Sequence, residues 1–395
     1  MTASVKKWAL RVLKLAVCAA ALVYLSTKVT LDDYVRLPGD PGVLHRLIAE
    51  TGDSIRYQNA VTGAEHTLPY HQPAIGEPIS ENEPRIVRGL KSVIRRTDWK
   101  WSAWALVLMA PVTFILGWRL RLLLATQEIA LSLRDALLLT FAGNFFNFAM
   151  PGSTGGDLYK AYHIAKRTPK RVQGVTIVIL DRVVGLVSFL LIAAVVLMFA
   201  GSTGRIGAYG QIVGYLTVGI IAAGLMFFSR RVRTLLRYDH WLSKLPFAEK
   251  IRHIDETTFA FRYHKAQAAM ALFVTFVSHI CIVTYIYFLS RGFGITASGD
   301  RTQIDLYFAV LMASVVGFLF AAIPISFQGF GLMEAVFIRV LVQGQWCDYS
   351  TMLALTLSAR LVQVVWSLPG ILAPWMGLER PPEDATEESI ENATR

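Results

Sequence analysis

The stretch FNFAMPGSTGGDLYKAYHIAKR, residues 146–167, interrupts an apolar run that looks ready to cross a membrane. Residues 151–157 are Pro, three Gly, Ser, Thr and Asp, which end a helix because Pro lacks a backbone N–H and Gly favours other conformations. Only sixteen residues separate Asp135 from Pro151, and nine separate Pro151 from Lys160. Helices of these lengths reach about 24 Å and 14 Å, short of the ~30 Å hydrocarbon core. The stretch therefore predicts a re-entrant hairpin.

The basic residues after this break favour the same interpretation. A full crossing would carry four of them to the outer face, against the positive-inside rule: Lys166, Arg167, Lys170 and Arg171. A hairpin that enters from the cytoplasm and returns there keeps all four on the inner side.

The composition is that of a polytopic membrane protein. Of the 395 residues, 54% are hydrophobic and 17% are charged, and the mean hydropathy is +0.46; soluble domains carry about a quarter charged residues. The net charge of +11 is concentrated beside apolar runs, which predicts contact with anionic lipid headgroups and argues against nucleic acid as a partner. The three cysteines have neither metal nor disulfide spacing, and no catalytic or nucleotide-binding motif is present. We therefore expect no cofactor and no enzyme activity.

Six apolar stretches have the length of about 20 residues that a bilayer crossing needs. They are Trp8–Ser26, Trp99–Gly117, Val172–Ala200, Ala208–Phe228, Ala268–Leu289 and Met352–Trp375. Basic residues beside the first span place the amino terminus in the cytoplasm, and the number of spans returns the carboxyl terminus to the same side. The predicted location is the inner (cytoplasmic) membrane of the cell, with residues 377–395 as an acidic, disordered cytoplasmic tail.

Residues 27–98, which follow the N-terminal transmembrane helix at 1–26, form a predicted extracytoplasmic insert. Within it IRYQNAVTGAEHTL, residues 55–68, has the pattern of a β-hairpin, so we expect a small folded unit. The histidines of the insert would allow a metal site, although surface histidines are the commoner case: His45, His66 and His71.

A second break lies in PISFQGFGLMEAVF, residues 324–337, after the apolar stretch 306–324. Broken segments at matching positions of two oppositely oriented halves are the sequence pattern of a transporter-type site near the bilayer midplane. The predicted fold is an all-α integral membrane protein, a polytopic helical bundle over 99–376 with two re-entrant, broken-helix hairpins in inverted repeats. Two ordinary interfacial loops are the alternative.

The two breaks carry residues predicted to bind a headgroup. Backbone that leaves a helix inside hydrocarbon must line a cavity or be buried in protein, and the N–H groups of a glycine-rich turn suit an anion such as phosphate. The turn residues are Gly152, Ser153, Thr154, Gly155, Gly156, Ser326, Gln328, Gly329 and Gly331. Tight turns that bind nothing are the alternative.

Charged residues inside apolar segments are the second indication of a site, because each isolated charge costs about 2.5–3.5 kcal/mol at the bilayer centre. We predict that Arg182 and Arg360 bind a lipid phosphate, while Asp157, Asp181 and Glu334 balance charge or relay protons. The alternative is that Asp181–Arg360 and Glu334–Arg182 are buried ion pairs that hold helices in register.

Polar and aromatic residues also flank the first break. Asn147 is predicted to hydrogen-bond either the broken backbone or a headgroup. Tyr159, Lys160 and Tyr162 have the character of interfacial anchors, and Lys160 is also a candidate headgroup ligand.

Together these motifs resemble the lysylphosphatidylglycerol synthase transmembrane-region family. PGSTGGDLYKAY after Asn147, with LDRVVGL (180–186), resembles its first signature, and PISFQGFGLMEA with SARLVQVVWSLPG (358–370) resembles its second signature and closing helix. The resemblance covers residues 99–376 and implies a flippase-like domain. The family commonly has Glu and then Arg after the first turn, where this chain has Asp157 and Lys160. The synthase domain of bifunctional members is absent, so lysyl transfer is not expected.

We therefore expect a flippase-like protein that moves a phospholipid or lipid-linked headgroup between leaflets. One alternative is a membrane-embedded transferase that acts on a lipid-linked substrate, with Asp157 or Glu334 as the base. The other is a membrane scaffold that uses the 27–98 loop.

Overall fold

The computed structural model describes most of the chain between the first predicted span and the acidic tail. The described residues are 30–37, 40–51, 53–69, 84–149, 155–200, 215, 218–219, 263–297, 301–322, 329–373 and 376. The predicted span Trp8–Ser26 and the tail 377–395 lie outside them, as does nearly all of Ala208–Phe228.

The chain divides into two compact units, each built from two segments. Unit 1 comprises Met1–Leu108 and Val283–Val362, and unit 2 comprises Met109–Ile282 and Gln363–Arg395. The first break belongs to unit 2 and the second to unit 1, so each unit holds a separate candidate site.

The insert is a five-stranded antiparallel sheet with strand order β4-β3-β2-β1-β5. Its elements are β1 (Tyr34–Leu37), β2 (Asp40–Thr51), β3 (Ser54–Gln58), β4 (Glu65–Pro69), β5 (Arg85–Val87) and the short helix α1 (Leu90–Arg95). The predicted hairpin is confirmed as β3 paired with β4. Its turn forms because Asn59 Oδ1 accepts hydrogen bonds from the N–H groups of Val61 and Thr62, and because Gly63 adopts a φ of 72°.

The core of the sheet consists of alternating apolar residues from several strands. Val35, Ile55 and Tyr57 are buried in it. His45 is buried as well, and its Nδ1 accepts the N–H of Ala60 at 3.1 Å. No group of His, Cys, Asp or Glu within the described ranges could hold a metal ion, and His71 lies outside those ranges.

Carboxylates of the sheet neutralise part of the basic run that precedes the second predicted span. Arg88 donates to both oxygens of Glu50 at 2.8 Å, and Arg96 donates to one of them at 3.0 Å. The hydrogen bonds from Arg88 hold the pKa of Glu50 below its ordinary value. Lys91 pairs with Asp32 at 3.0 Å. These contacts tie α1 and the following residues to the sheet.

We expect Glu50→Gln to destabilise the sheet by about 1–2 kcal/mol at neutral pH, because it removes a partly buried carboxylate that two arginines share. Since the folded pKa is depressed, the stabilisation is complete above the ordinary pKa of a glutamate and disappears as the pH falls through the folded value. Hydrogen exchange of the strand amides in the full-length protein measures the loss of stability at neutral pH and at a pH below the folded pKa of Glu50. Glu65→Gln is the control, since its 3.8 Å contact with Arg56 is exposed; an equal effect of the two changes would contradict the assignment.

The remaining described elements are helical. They are α2 (Trp99–Ala125), α3 (Leu133–Ala149), α4 (Gly155–Arg167), α5 (Arg171–Ala200), α6 (Lys265–Gly292), α7 (Gln303–Ala322), α8 (Leu332–Phe337) with a π-helical turn (Ile338–Val342), and α9 (Tyr349–Ser367) with a 3-10 turn (Leu368–Ile371). Among the described residues, α2, α5, α6, α7 and α9 are long and apolar enough to cross a membrane. Four of these five correspond to predicted spans. The protein is therefore a polytopic helical membrane protein.

Helix α7 begins three residues before the predicted first leg of the second hairpin, at Gln303. Its capping box extends it to the amino side of Leu306: the N–H of Thr302 donates to Asp305 Oδ2, and the N–H of Asp305 donates to Thr302 Oγ1. At 20 residues the helix spans about 30 Å, the thickness of the hydrocarbon core. Helix α3 has 17 residues and spans about 25 Å. The first legs of the two hairpins thus differ in length, and re-entry of either hairpin remains a prediction.

The hairpin of α3 and α4 in unit 2 depends on a close glycine contact. A Cβ atom on Gly156 would lie 1.8 Å from the carbonyl oxygen of Gly143, so the two helices can meet only without side chains there. Behind them, Gly370 is packed equally closely against the backbone of Phe141, because a Cβ there would lie 2.1 Å from its oxygen.

We expect Gly156→Ala to destabilise the protein by about 1–3 kcal/mol, because the backbone of α3 must move away from the new methyl group. Thermal unfolding in detergent measures this change. Gly185→Ala is the matched control: its nearest contact would be Arg119 Nη1 at 3.8 Å, which is ordinary packing. Equal unfolding temperatures for the two variants would contradict the close contact.

Candidate functional site

The first break is stabilised across the hairpin. Asn147, near the end of α3, accepts the backbone N–H of Gly156 with its Oδ1 at 2.8 Å. This bond satisfies one of the N–H groups that a helix start leaves without an intrahelical partner. Of the two predicted roles of Asn147, the structure shows the backbone one. Gly155 and Gly156 are buried at the start of α4, whereas Gly152, Ser153 and Thr154 lie outside the described residues.

Asp157, which follows Gly156, forms an ion pair with the next long helix. Arg182 Nη1 lies 3.0 Å from Asp157 Oδ2, and about a third of the arginine side chain is exposed. Partial exposure means that the guanidinium is held in place without being sealed off. An anion could therefore approach Arg182 without disrupting the hairpin.

Lys160 lies one turn further along α4 and is buried, with 7% of the residue exposed. Its side chain runs along Gly143, because a Cβ there would meet Lys160 Cε at 2.5 Å. The prediction of an interfacial anchor is wrong for Lys160, since the missing side chain of Gly143 leaves room for the lysine beside α3. Tyr162, by contrast, is exposed, and Tyr159 stacks on Phe146 at 4.6 Å.

The second break, in unit 1, ends in a turn that requires glycine. Gly329 and Gly331 adopt φ angles of 70° and 86°, which L side chains rarely tolerate. A Cβ on Gly329 would also lie 2.3 Å from the Cβ of Ala321. Ser326 and Gln328 lie outside the described residues.

Glu334 holds this turn and an arginine together. Its Oε2 accepts the N–H of Gly331 at 2.7 Å, and its Oε1 accepts Nε and Nη2 of Arg360 at 3.1 and 2.9 Å. The Glu334 side chain is fully buried. The guanidinium of Arg360 also lies over the ring of Phe330, 4.9 Å from its centre. The charge of Glu334 is thus satisfied on both oxygens.

The two units place equivalent residues in equivalent positions. Arg182 stands eleven residues after the first residue of α5, and Arg360 stands eleven residues after the first residue of α9. Gly143 packs against Gly156 and Lys160, and Gly317 packs in the same way against the side chains of Met333 and Phe337, at 3.2 and 3.5 Å from an added Cβ. The matched pairs are Gly143 with Gly317, Gly156 with Met333, Asp157 with Glu334, Lys160 with Phe337, and Arg182 with Arg360.

Asp181 and Glu334 form ion pairs, but not with the arginines that the alternative prediction assigned to them. Asp181 pairs with Arg119 and not with Arg360, and Glu334 pairs with Arg360 and not with Arg182. Arg119 was not expected in the site, because it follows an apolar run as a flanking residue does. Helix α2 in fact continues to Ala125, which carries Arg119 inside the packed helices.

Arg119 and Asp181 form the most buried ion pair of unit 2 for which a distance is described. Nε of Arg119 donates to Oδ1 of Asp181 at 2.7 Å, and Nη1 donates to Oγ1 of Thr275 at 3.2 Å. Both charged residues are 6% exposed. The pair joins α2, α5 and α6. Its low exposure favours a structural role, in contrast to the open Asp157–Arg182 pair.

We expect Arg119→Gln to destabilise the protein by about 3–5 kcal/mol, because it leaves the buried Asp181 carboxylate without its charge partner. Arg121→Gln removes the same charge two positions along the same helix, where the residue is exposed, and should change stability by less than about 0.5 kcal/mol. Thermal unfolding in detergent compares them. Comparable losses in both variants would show that the pair contributes no specific stabilisation.

The fold and the paired acid–arginine sites define a polytopic helical membrane protein with one charged site in each unit. Residues 86–370 match the family described as lysylphosphatidylglycerol synthase TM region, and the chain belongs to that family. Strands β1 to β4 of the sheet precede the matched residues. A comparison with curated proteins found no match.

Proposed function

We propose that this protein moves a phospholipid or a lipid-linked headgroup between the two leaflets of the membrane. The observation that carries the proposal is the repetition of one arrangement in both units. In each unit a helix breaks, a glycine of the preceding helix packs on the following one, and an acid just after the break pairs with an arginine. Inverted structural repeats with broken helices are the usual basis of membrane transport sites.

Paired charges suit this activity because a headgroup phosphate can replace one partner of a pair. An unpaired charge in hydrocarbon costs about 2.5–3.5 kcal/mol on insertion scales. If phosphate binds Arg182 as Asp157 withdraws toward solvent, neither charge is left alone in the apolar region. The exchange needs a guanidinium that can be reached, and Arg182 is about one-third exposed.

The pair in unit 1 is more firmly held. Glu334 is fully buried and bonded on both oxygens, and the Arg360 side chain is 15% exposed. We propose that unit 2 binds the headgroup through Arg182, and that Arg360 becomes able to bind a headgroup only after Glu334 has been displaced. In this scheme the protein lies in the inner (cytoplasmic) membrane, and both termini are cytoplasmic.

The chain acts in this proposal as a transporter and not as an enzyme, with membrane lipid as its partner. Arginine is well suited to that role because its planar guanidinium binds phosphate in a bidentate manner and stays charged when buried.

Reconstitution into liposomes with acyl-labelled fluorescent phospholipids and a membrane-impermeant quencher tests the proposal. We expect the purified protein to transfer lipid between leaflets, and Arg182→Gln and Arg360→Gln each to slow transfer by at least about tenfold, because each removes a charge-assisted contact. Arg171→Gln and Arg339→Gln are the controls: they are exposed arginines, one on α5 with Arg182 and one in unit 1 with Arg360.

Three results would contradict the proposal. The first is no transfer by the intact protein above that of empty liposomes. The second is loss of transfer in the control variants as great as in the two site variants. The third is a modified lipid product without transfer, which would instead favour a membrane-embedded transferase.

A further inference from the structure

Lys160 is a packed, charged residue that takes no part in the ion pairs described above. It is 7% exposed, and it has no hydrogen-bond or ion-pair partner among the residues that the structure describes. Its closest carboxylate on α4 is Asp157, which pairs with Arg182. Its Nζ is not among the buried side-chain atoms that lack a hydrogen-bond partner, so the packed side chain carries the ammonium to the surface of unit 2. No described carboxylate neutralises the charge there.

Packing does not require a charge at this position. In unit 1 the equivalent place beside Gly317 is filled by Phe337, which is fully buried. The same structural arrangement therefore accepts an apolar side chain. A lysine that is packed along its length where an apolar residue also fits, and whose ammonium has no described carboxylate beside it, points to a ligand that supplies the negative charge.

The described charges around Lys160 give this part of unit 2 an excess of positive charge. Asp157 balances Arg182, Asp181 balances Arg119, and Asp135 balances Arg167. Lys160 is then left over. Its side chain lies beside Gly143 and next to the carbonyl oxygen of Gly156, at the start of α4, where the helix dipole also favours an anion.

We propose that the ammonium of Lys160 binds a phosphate oxygen of a lipid headgroup, so that unit 2 selects headgroups of net negative charge over aminoacylated, net positive ones. The inference rests on the proposed function, since it assigns the substrate class to the same site. Unit 1 lacks the equivalent cation because Phe337 occupies its place. The two sites thus differ in kind: one recognises phosphate through Lys160 and Arg182, and the other offers Arg360 alone.

Binding of short-chain lipids to the full-length protein in a non-ionic detergent tests this inference apart from transport. The probes are phosphatidylglycerol, which is anionic, phosphatidylcholine, which is zwitterionic, and lysyl-phosphatidylglycerol, which is net cationic. Inorganic phosphate is the fourth probe and distinguishes a lipid site from a site for the free ion. We expect the intact protein to bind phosphatidylglycerol at least tenfold more tightly than the other two lipids, and more tightly than free phosphate.

Lys160→Met should weaken phosphatidylglycerol binding by about tenfold to a hundredfold, the usual effect of losing a charge-assisted contact. Its thermal stability without lipid should be equal to or higher than that of the intact protein, because an apolar side chain fits the equivalent position in unit 1. Lys160→Arg should retain most of the affinity. Lys166→Met removes the same charge from an exposed position on the same helix and should leave affinity within about twofold.

Several outcomes overturn the inference. Unchanged phosphatidylglycerol binding by Lys160→Met removes Lys160 from the site. A lower thermal stability of that variant, with binding lost in Lys160→Arg as well, shows that the lysine is structural. Equal binding of all three lipids shows that the site does not select by charge, and tighter binding of free phosphate shows that it is not a lipid site.

Liposome transfer assays distinguish a failure of the Lys160 inference from a failure of the proposed transport function. Lipid transfer that is independent of headgroup charge and of Lys160 would leave the transport proposal standing and contradict the inference. Lysine-dependent binding of phosphatidylglycerol without any transfer would do the reverse.

Discussion

Nε of Arg119 donates to Oδ1 of Asp181 at 2.7 Å, and both residues are almost completely buried. This contact illustrates the requirement on which the rest of the structure depends, the neutralisation of interior charges. A charge inside packed membrane helices has to be neutralised nearby, because desolvation otherwise costs more than the fold can supply. Other carboxylates among the described helices are neutralised in the same way: Asp157 pairs with Arg182, Glu334 with Arg360, and Asp135 with Arg167. Two of these pairs join consecutive helices, α4 with α5 and α8 with α9, and the Arg119–Asp181 pair joins α2 with α5.

The two units neutralise their charges with the same arrangement, but they differ in the exposure of the pair and in the residue beside it. In unit 1 the carboxylate is fully buried and bonded on both oxygens, and the neighbouring position is an apolar Phe337. In unit 2 the pair is partly exposed and the neighbouring position is Lys160. The two units thus keep the same framework, and unit 2 has an additional lysine on which the proposed recognition of a headgroup depends.

Several features were predictable from local sequence. Apolar length identified four of the five described spanning helices, and the β3–β4 hairpin followed from alternating residues around Asn-Ala-Val-Thr-Gly. The glycine turn before Glu334 was predictable because Gly329 and Gly331 tolerate positive φ. The other strands of the insert were not predicted, because short strands form only when they pair with partners far along the chain. The start of α7 at Gln303 was missed because its first turn is polar.

By itself the sequence determined that the protein lies in a membrane, that two helices break at glycine-rich turns and that charges lie within apolar segments, since each of these depends on residues close together in the chain. Only the tertiary structure decided which charges pair. It replaced the alternative Asp181–Arg360 and Glu334–Arg182 pairs with Arg119–Asp181 and Glu334–Arg360, brought Arg119 into the interior and packed Lys160 beside Gly143. Pairing depends on which helix faces are in contact, and that contact is set by packing between segments up to 156 residues apart, as for Arg119 and Thr275.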